Sequence, residues 1–289
     1  MTLKKDVETS IDDNVSATEK YMKQINKSLE QAIEDEKQKK EHEQMMDAIL
    51  STWLALMFTN FEDDLYNSAQ IGIDEADKQL KAKNITTVAD ETITVEKYEQ
   101  QIQSRLDNVK SDFIAMAEEI KSNSSSVFND LNTTITKEAR EKLANDLLKI
   151  LKENGITFFY DRAGRKWKIE NYVKMRTMTE LVQGQRVSFF TRAIQFGVDL
   201  VRIIHMNLHP QCPLCIPFNN KILSITGKTP GYMTIEEASM QGLFHPNCDH
   251  VPQKLELAPL DKGNEGVIIL SEANKKRFEY NQKKNFKMF

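Results

Sequence analysis

Hydrophobic residues recur every three or four positions along much of the first 150 residues, with polar or charged residues between them. Two broad stripes are formed by Ile49, Leu50, Trp53, Leu54, Met57, Phe58, Phe61 and Leu65, and by Val95, Tyr98, Ile102, Leu106, Val109, Phe113, Met116 and Ile120. Residues spaced in this way lie on one face of an α-helix, so the pattern predicts long amphipathic helices separated by Gly72 and the run 84–94. We interpret the apolar faces as the core of an intramolecular bundle, although such faces can also bind a partner protein or a membrane surface.

The first 45 residues carry a narrower stripe, formed by Tyr21, Ile25, Leu29 and Ile33, in highly charged surroundings. So narrow a stripe predicts a helix that projects from the body of the protein or docks on a neighbouring subunit. Farther along, the serine cluster at 122–126 predicts a loop, which is followed by a fourth helix at about 132–153.

The character of the chain changes after Gly155, where short β-type runs and glycine turns replace the long stripes. The predicted elements are a strand at 156–160, a turn at 161–166, a helix at 169–196 that stops at Gly197, a strand at 198–204, a short helix capped by Thr234, and a lysine-rich helix at 271–287. The sequence therefore predicts an α+β fold, mainly α, with long N-terminal helices followed by a small α/β module. We divide the chain into a helical region at 1–153, an α/β domain at 154–260 and a basic helical tail at 261–289.

Proline and charge sharpen this division. All seven prolines lie between 210 and 259, and because proline is poorly tolerated inside helices, the first 209 residues are free to form long ones. Within a net charge of −4, the N-terminal half is acidic and the C-terminal half is basic. A basic surface can meet nucleic acid or an acidic protein, including the chain's own acidic half, which we prefer. No apolar run approaches the roughly 20 residues that span a bilayer, and the first residues lack the apolar core of a secretory signal.

All three cysteines fall in one segment, beside histidines, as Cys212-Pro-Leu-Cys215 and His245-Pro-Asn-Cys248-Asp-His250. Thiolate and imidazole are the ligands that Zn²⁺ prefers, and four of them complete a tetrahedron. We therefore predict a structural zinc site whose ligands are Cys212, Cys215, Cys248 and His250, with His245 or His209 as alternates to His250. The competing interpretation is that the cysteines bind no metal and pack as small hydrophobic residues.

The common signatures of catalysis are missing from the sequence. Zinc deaminases combine an upstream His-x-Glu with Pro-Cys-x-x-Cys, but here His205 is followed by Met-Asn, and Gln211 precedes Cys212. HExxH, the Walker A loop, GxGxxG and GxSxG are missing too. Since a zinc ion with four protein ligands has no open position for water, we predict a protein that is not an enzyme. The turn at 161–167 places arginines around Gly164 and could bind phosphate, but we prefer a plain β-turn.

Several segments between about 155 and 255 resemble, in their order and spacing, the phage minor capsid protein 2 family. These segments are 159–167, 172–177, 197–201, 212–215, 221–227 and 247–250. The family consists of tailed-phage head proteins of Gram-positive hosts and is akin to the Mu F-like head morphogenesis proteins. The first 150 residues are similar to the family only in being helical.

The resemblance implies a minor head protein, present in few copies inside the virion, that acts with the portal and with major capsid or scaffold proteins during assembly in the host cytoplasm. It also implies a part in genome packaging or delivery. The alternative is a zinc-stabilised protein that binds the packaged phage DNA. The family varies at the CxxC positions, so the metal is a prediction from this sequence alone. The family more often has arginine where this chain has Asp249, so one candidate phosphate contact is missing here.

Overall fold

The computed structural model describes residues 3–35, 38–93, 95–133, 137–154, 158–161, 163–208, 210–257, 268 and 270–283. Its helices are α1 (Leu3–Glu34), α2 (Lys39–Ala82), α3 (Val95–Thr133), α4 (Lys137–Asn154), α5 (Ile169–Gln195), α6 (Ile235–Met240) and α7 (Glu272–Lys283), and its strands are β1 (Phe158–Tyr160), β2 (Lys166–Lys168), β3 (Leu200–His205), β4 (Lys221–Ser224) and β5 (His250–Glu256). The long helices and short strands confirm the predicted α+β class, mainly α. None of the described helices combines the length and the apolar composition that crossing a bilayer requires.

The chain folds into two compact units, each assembled from segments that are distant in sequence. The bundle unit comprises Ser10–Glu62 and Leu106–Lys174, and the sheet unit comprises Met1–Thr9, Asp63–Arg105 and Met175–Phe289. Helices α1, α2, α3 and α5 each contribute one part to each unit. The domain boundaries at 153 and 260, which were drawn from the sequence, remain a prediction.

The broad stripes of α2 and α3 form the core of the bundle unit. Trp53 and Phe61 from α2, and Leu106, Phe113 and Ile120 from α3, are almost completely buried. The rings of Trp53 and Phe61 lie 5.8 and 5.3 Å from the ring of Phe113, in the tilted and edge-on arrangements that aromatic pairs prefer. The prediction of an intramolecular helical core is therefore confirmed.

The narrow stripe of α1 is also buried, and this corrects the expectation of a projecting or subunit-docking helix. Met22, Ile25 and Leu29 are buried in the core. Polar residues complete the same face, because Thr18 accepts a hydrogen bond from Trp53 Nε1 at 3.1 Å and is itself fully buried. Buried polar contacts thus widen a stripe that is narrow only when hydrophobic residues alone are considered.

The serine cluster lies inside a helix, and the prediction of a loop there is wrong. Helix α3 continues through 122–126 because Ser124 is buried, with its Oγ 2.7 Å from His42 Nε2. His42 Nδ1 lies 3.0 Å from Ser28 Oγ, so one histidine joins α1, α2 and α3. Burial lowers the pKa of His42, against a smaller opposing effect of Glu43. These tertiary hydrogen bonds outweigh the modest helix propensity of serine. Because α3 continues to Thr133, the next helix, α4, begins only at Lys137.

The turn after β1 is organised around one carboxylate of the bundle unit. Asp161 Oδ1 accepts hydrogen bonds from the backbone N–H groups of Ala163 and Arg165, both at 2.9 Å, and Oδ2 accepts from Arg165 Nε at 2.7 Å and Trp167 Nε1 at 2.9 Å. Burial raises the pKa of Asp161, but these hydrogen bonds outweigh it and lower the pKa to about 2. Because Asp161 engages Arg165, the structure favours the plain turn over a phosphate site.

The sheet unit is built around three antiparallel strands in the order β4-β3-β5. Strand β3 corresponds to the strand predicted at 198–204, whereas β4 and β5 were not predicted. The buried residues of the three-stranded sheet pack with Phe189 and Phe190 of α5, and Cys215 and Cys248 belong to the same core. Helix α6 begins as predicted, with Thr234 in a capping box.

Helices α2 and α5 approach each other closely within the sheet unit, at two glycines. A Cβ at Gly72 would lie 2.3 Å from the Gln185 carbonyl oxygen, and one at Gly184 would lie 2.8 Å from Leu65 Cδ1. Gly72 was predicted to separate helices, but it lies inside α2. Its role is the close approach of two backbones, which a side chain would prevent.

Candidate metal centre

Two tight turns of the sheet unit bring the cysteines and histidines together. In the first turn, the backbone N–H groups of Cys215 and Ile216 donate to the Cys212 carbonyl at 3.0 and 3.2 Å. In the second, the Cys248 N–H donates to the His245 carbonyl at 3.0 Å, and β5 begins two residues later, at His250. The first turn therefore brings two cysteines together, and the second brings Cys248 close to His245 in the chain.

One group of potential ligands is deeply buried and comprises Cys215, Cys248 and His250. Cys215 Sγ lies 3.6 Å from Cys248 Sγ, and Cys248 Sγ lies 3.5 Å from His250 Nδ1. Typical Zn–S and Zn–N bond lengths give a tetrahedron with S–S edges of about 3.8 Å and S–N edges of about 3.6 Å. The two separations that involve Cys248 therefore match the edges of a tetrahedral metal site, and all three ligand atoms lie within 4.8 Å of one another.

A second group shares Cys215 and adds Cys212 and His245, with all three ligand atoms within 4.8 Å of one another. Cys212 Sγ lies only 2.9 Å from His245 Nε2, which is a hydrogen-bonding distance and shorter than the S–N edge of a ligand tetrahedron. The two groups together offer five donors for four positions, and they include every predicted ligand except the alternate His209, which lies outside the described residues.

The hydrogen-bond partners of the two ring nitrogens indicate which nitrogen of each histidine is free to bind a metal. His245 Nδ1 lies 2.6 Å from the Pro246 carbonyl oxygen, which can only accept, so Nδ1 carries the proton and Nε2 presents a lone pair toward Cys212. His250 Nε2 lies 3.4 Å from the side-chain nitrogen of Gln211. Reversing the Gln211 amide, whose two ends have nearly the same shape, would let its oxygen accept from His250 Nε2–H and would leave Nδ1 free to bind a metal.

The buried thiols share one negative charge. The hydrogen bond with Cys248, together with burial, raises the pKa of the Cys215 thiol far above its usual range. Burial also raises the pKa of Cys248, but its hydrogen bonds with Cys215 and His250 and the charge of Arg186 outweigh the effect of burial and hold that pKa well below its usual range. Because the thiolate is the form that binds metals, the site already holds one ligand in its reactive state.

Arg186 on α5 fixes the backbone of the second turn. Its guanidinium is fully buried, and it donates from Nε to the His250 carbonyl at 2.6 Å and from Nη2 to the Cys248 carbonyl at 2.5 Å, while it lies 4.2 Å from the Phe244 ring centre. Burial lowers the pKa of Arg186 to about 10, although Cys248 and, to a smaller extent, Cys215 oppose the shift, so the group stays charged at neutral pH. The sequence interpretation missed this residue.

Asp249 and His205 hold the same segment from its other side. Asp249 is fully buried; its Oδ1 lies 2.8 Å from His205 Nε2, and its Oδ2 accepts from the Leu208 N–H at 2.8 Å. Asp249 is therefore an internal hydrogen-bond acceptor that anchors the end of β3 to the start of β5.

The fold and the site define a mainly helical protein whose convergent Cys and His side chains could hold a metal ion. The chain matches the family model of phage minor capsid protein 2 over residues 5–254. The match covers 250 of 289 residues, including the N-terminal helices, and the chain therefore belongs to this family of structural phage head proteins and is a virion component. A search of curated proteins found no match, and neither did a search of solved structures.

Proposed function

We propose that this chain is a non-enzymatic minor head protein that acts with the portal and with major capsid or scaffold proteins during head assembly in the host cytoplasm, and that it helps genome packaging or delivery. The family match over residues 5–254 carries this proposal. The N-terminal helices would engage the portal or scaffold. Because their apolar stripes are buried within the chain, partners would meet their charged outer faces, and binding would weaken as salt screens those charges.

Quantitative mass spectrometry and cross-linking of purified phage particles test this assignment. We expect the chain inside particles at a copy number far below that of the major capsid protein, with cross-links to the portal. A pull-down with the portal protein should lose yield as salt rises. The absence of the chain from purified particles, or a copy number equal to that of the major capsid protein, would contradict the proposal.

We propose further that a structural zinc ion is held by Cys212, Cys215, Cys248 and His250. Support comes from the 3.6 and 3.5 Å separations around Cys248, which match the edges of a zinc tetrahedron. Four protein ligands would leave no open position for water, so the ion would stabilise the fold without supplying chemistry. His245 is the alternate fourth ligand, since its Nε2 is unprotonated and faces Cys212.

A pair of matched variants distinguishes the two histidines. We expect His250→Ala to lower zinc content and the thermal transition, while His245→Ala retains zinc. Metal analysis and calorimetry of both purified variants provide the comparison. The reverse result would make His245 the ligand, and full zinc content in both variants would contradict the proposed set.

A second candidate function, DNA binding, rests on the basic helix α7, where Lys275, Lys276 and Arg277 are consecutive. Phosphate contacts make such binding steeply salt-dependent. Gel-shift titrations should then show affinity for duplex DNA that falls with salt and with truncation of α7. A chain that binds no DNA even at low salt would eliminate this candidate.

A further inference from the structure

One cavity of the sheet unit has dimensions suited to a small polar group. Its volume is about 220 Å³, and residues of α3, α5, α6, α7 and the loop after α6 line it. Since a water molecule occupies about 30 Å³, the cavity has room for about seven waters and is smaller than the pockets that hold drug-sized molecules. An occupant would therefore be a group of a few heavy atoms.

Cations outnumber carboxylates around this cavity. Glu180 supplies the only carboxylate among the described residues that line it. That carboxylate is shared by two guanidinium groups, because Arg105 Nη1 lies 3.2 Å from Oε2 and Arg176 Nη1 lies 2.7 Å from Oε1. The negative charge of Glu180 is thus fully engaged, and the network as a whole keeps a positive charge.

Arg277 adds a further cation from α7. Within the described part of the chain, no carboxylate lies within salt-bridge distance of it, and its guanidinium stands 5.3 Å from the Tyr280 ring centre. Two buried polar atoms of the lining, Arg277 Nε and Gln183 Oε1, have no hydrogen-bond partner among the described residues. Arg277 Nε is a donor that an oxygen of a ligand can satisfy, whereas Gln183 Oε1 is an acceptor that needs a donor such as water.

We propose that this cavity binds a phosphate group. Guanidinium groups match phosphate oxygens with paired, charge-assisted hydrogen bonds. Here they approach from two elements, Arg105 from α3 and Arg277 from α7, which suits a tetrahedral anion with oxygens in several directions better than a planar carboxylate. The phosphate is either free inorganic phosphate or the terminal phosphate of a nucleic-acid strand. This site goes beyond the assembly role, and of the potential zinc ligands only the alternate His245 lines it among the described residues.

Calorimetric titration of the full chain at low ionic strength tests the proposal with four probes: inorganic phosphate, acetate, and a single-stranded dinucleotide with and without a 5′-phosphate. We expect saturable binding of inorganic phosphate that acetate does not reproduce. If the phosphorylated dinucleotide binds more tightly than inorganic phosphate and the unphosphorylated one does not bind, the source is a strand end. If inorganic phosphate binds at least as tightly, the source is free phosphate.

Two variants of α7 form a matched pair. Arg277→Gln should weaken phosphate binding about tenfold, because it removes a charge-assisted hydrogen bond. Lys276→Gln removes the same charge from the exposed neighbouring position and should change affinity by less than about twofold. Arg277→Lys keeps the positive charge but loses the planar guanidinium group, so we expect phosphate affinity to fall several-fold. If circular dichroism shows that Arg277→Gln does not fold, Arg277→Lys serves as the test variant in its place. The proposal is overturned by an absence of saturable binding, by equal losses at 276 and 277, or by acetate binding as tightly as phosphate.

Discussion

Replacement of Arg186 by methionine should strongly destabilise the sheet unit. The substitution keeps an unbranched, apolar stem but removes two hydrogen bonds, of 2.6 and 2.5 Å, to the carbonyls of His250 and Cys248. Hydrogen bonds to charged groups contribute about 1.5–3 kcal/mol each, and the two buried carbonyls would be left without this donor. Relief from burying a cation offsets part of the loss. We therefore expect the free energy of unfolding to fall by about 3 kcal/mol.

Urea unfolding followed by far-UV circular dichroism measures this loss. Arg192→Met is the matched control on the same helix, because Arg192 pairs with Asp77 at a partly exposed position and should cost about 1 kcal/mol or less. Trp53 and Trp167 both belong to the bundle unit, so tryptophan fluorescence reports that unit separately. If Arg186→Met lowers stability no more than Arg192→Met, Arg186 does not hold the second turn of the site.

Three further predictions concern the two units separately. Gly72→Ala should lower the thermal transition, at a cost of about 2 kcal/mol or more, because the new Cβ would stand 2.3 Å from the Gln185 oxygen; an unchanged melting curve refutes the close approach. Burial lowers the pKa of His42, so its contribution to stability is full above the unfolded value of 6.5 and is lost as pH falls below it. Tryptophan-detected unfolding should show this loss between pH 7 and 5, and His42→Gln should remove it. Asp199 accepts hydrogen bonds from the loop after β4, which outweigh the effect of burial and lower its pKa to about 2. The stability that it contributes should disappear as pH falls from about 4 to 2, and an Asp199→Asn variant with the wild-type acid profile would contradict this.

Regular periodicity made much of the fold predictable. The stripes around Trp53 and Phe113 repeat often enough to specify helices and their buried faces, and both residues are buried as predicted. The spacing of the Cys and His residues likewise indicated the segment that contains the two groups of potential metal ligands in the structure. Signals of this kind are local, so a single sequence contains them completely.

Other features depend on contacts between distant residues. Ser124 stays helical because it meets His42, 82 positions away, and Gly72 is required by a helix that begins almost a hundred residues later. The sequence interpretation missed Arg186, because its role follows from the carbonyls of residues 248 and 250, more than 60 positions away. Strand β5 has no strict alternation, since its buried positions come as a run of three and a run of two, with two exposed residues between them. Local pattern carries no signal for such tertiary partners.

Metal content of the purified full-length chain tests the zinc-stabilised module most directly. Elemental analysis should find about one zinc ion per chain, and Cys248→Ser should lose the zinc together with a large part of the thermal stability of the sheet unit. A strong chelator should have the same effect on the wild-type protein. A wild-type chain that is free of metal, and equally stable with and without the chelator, would contradict the account.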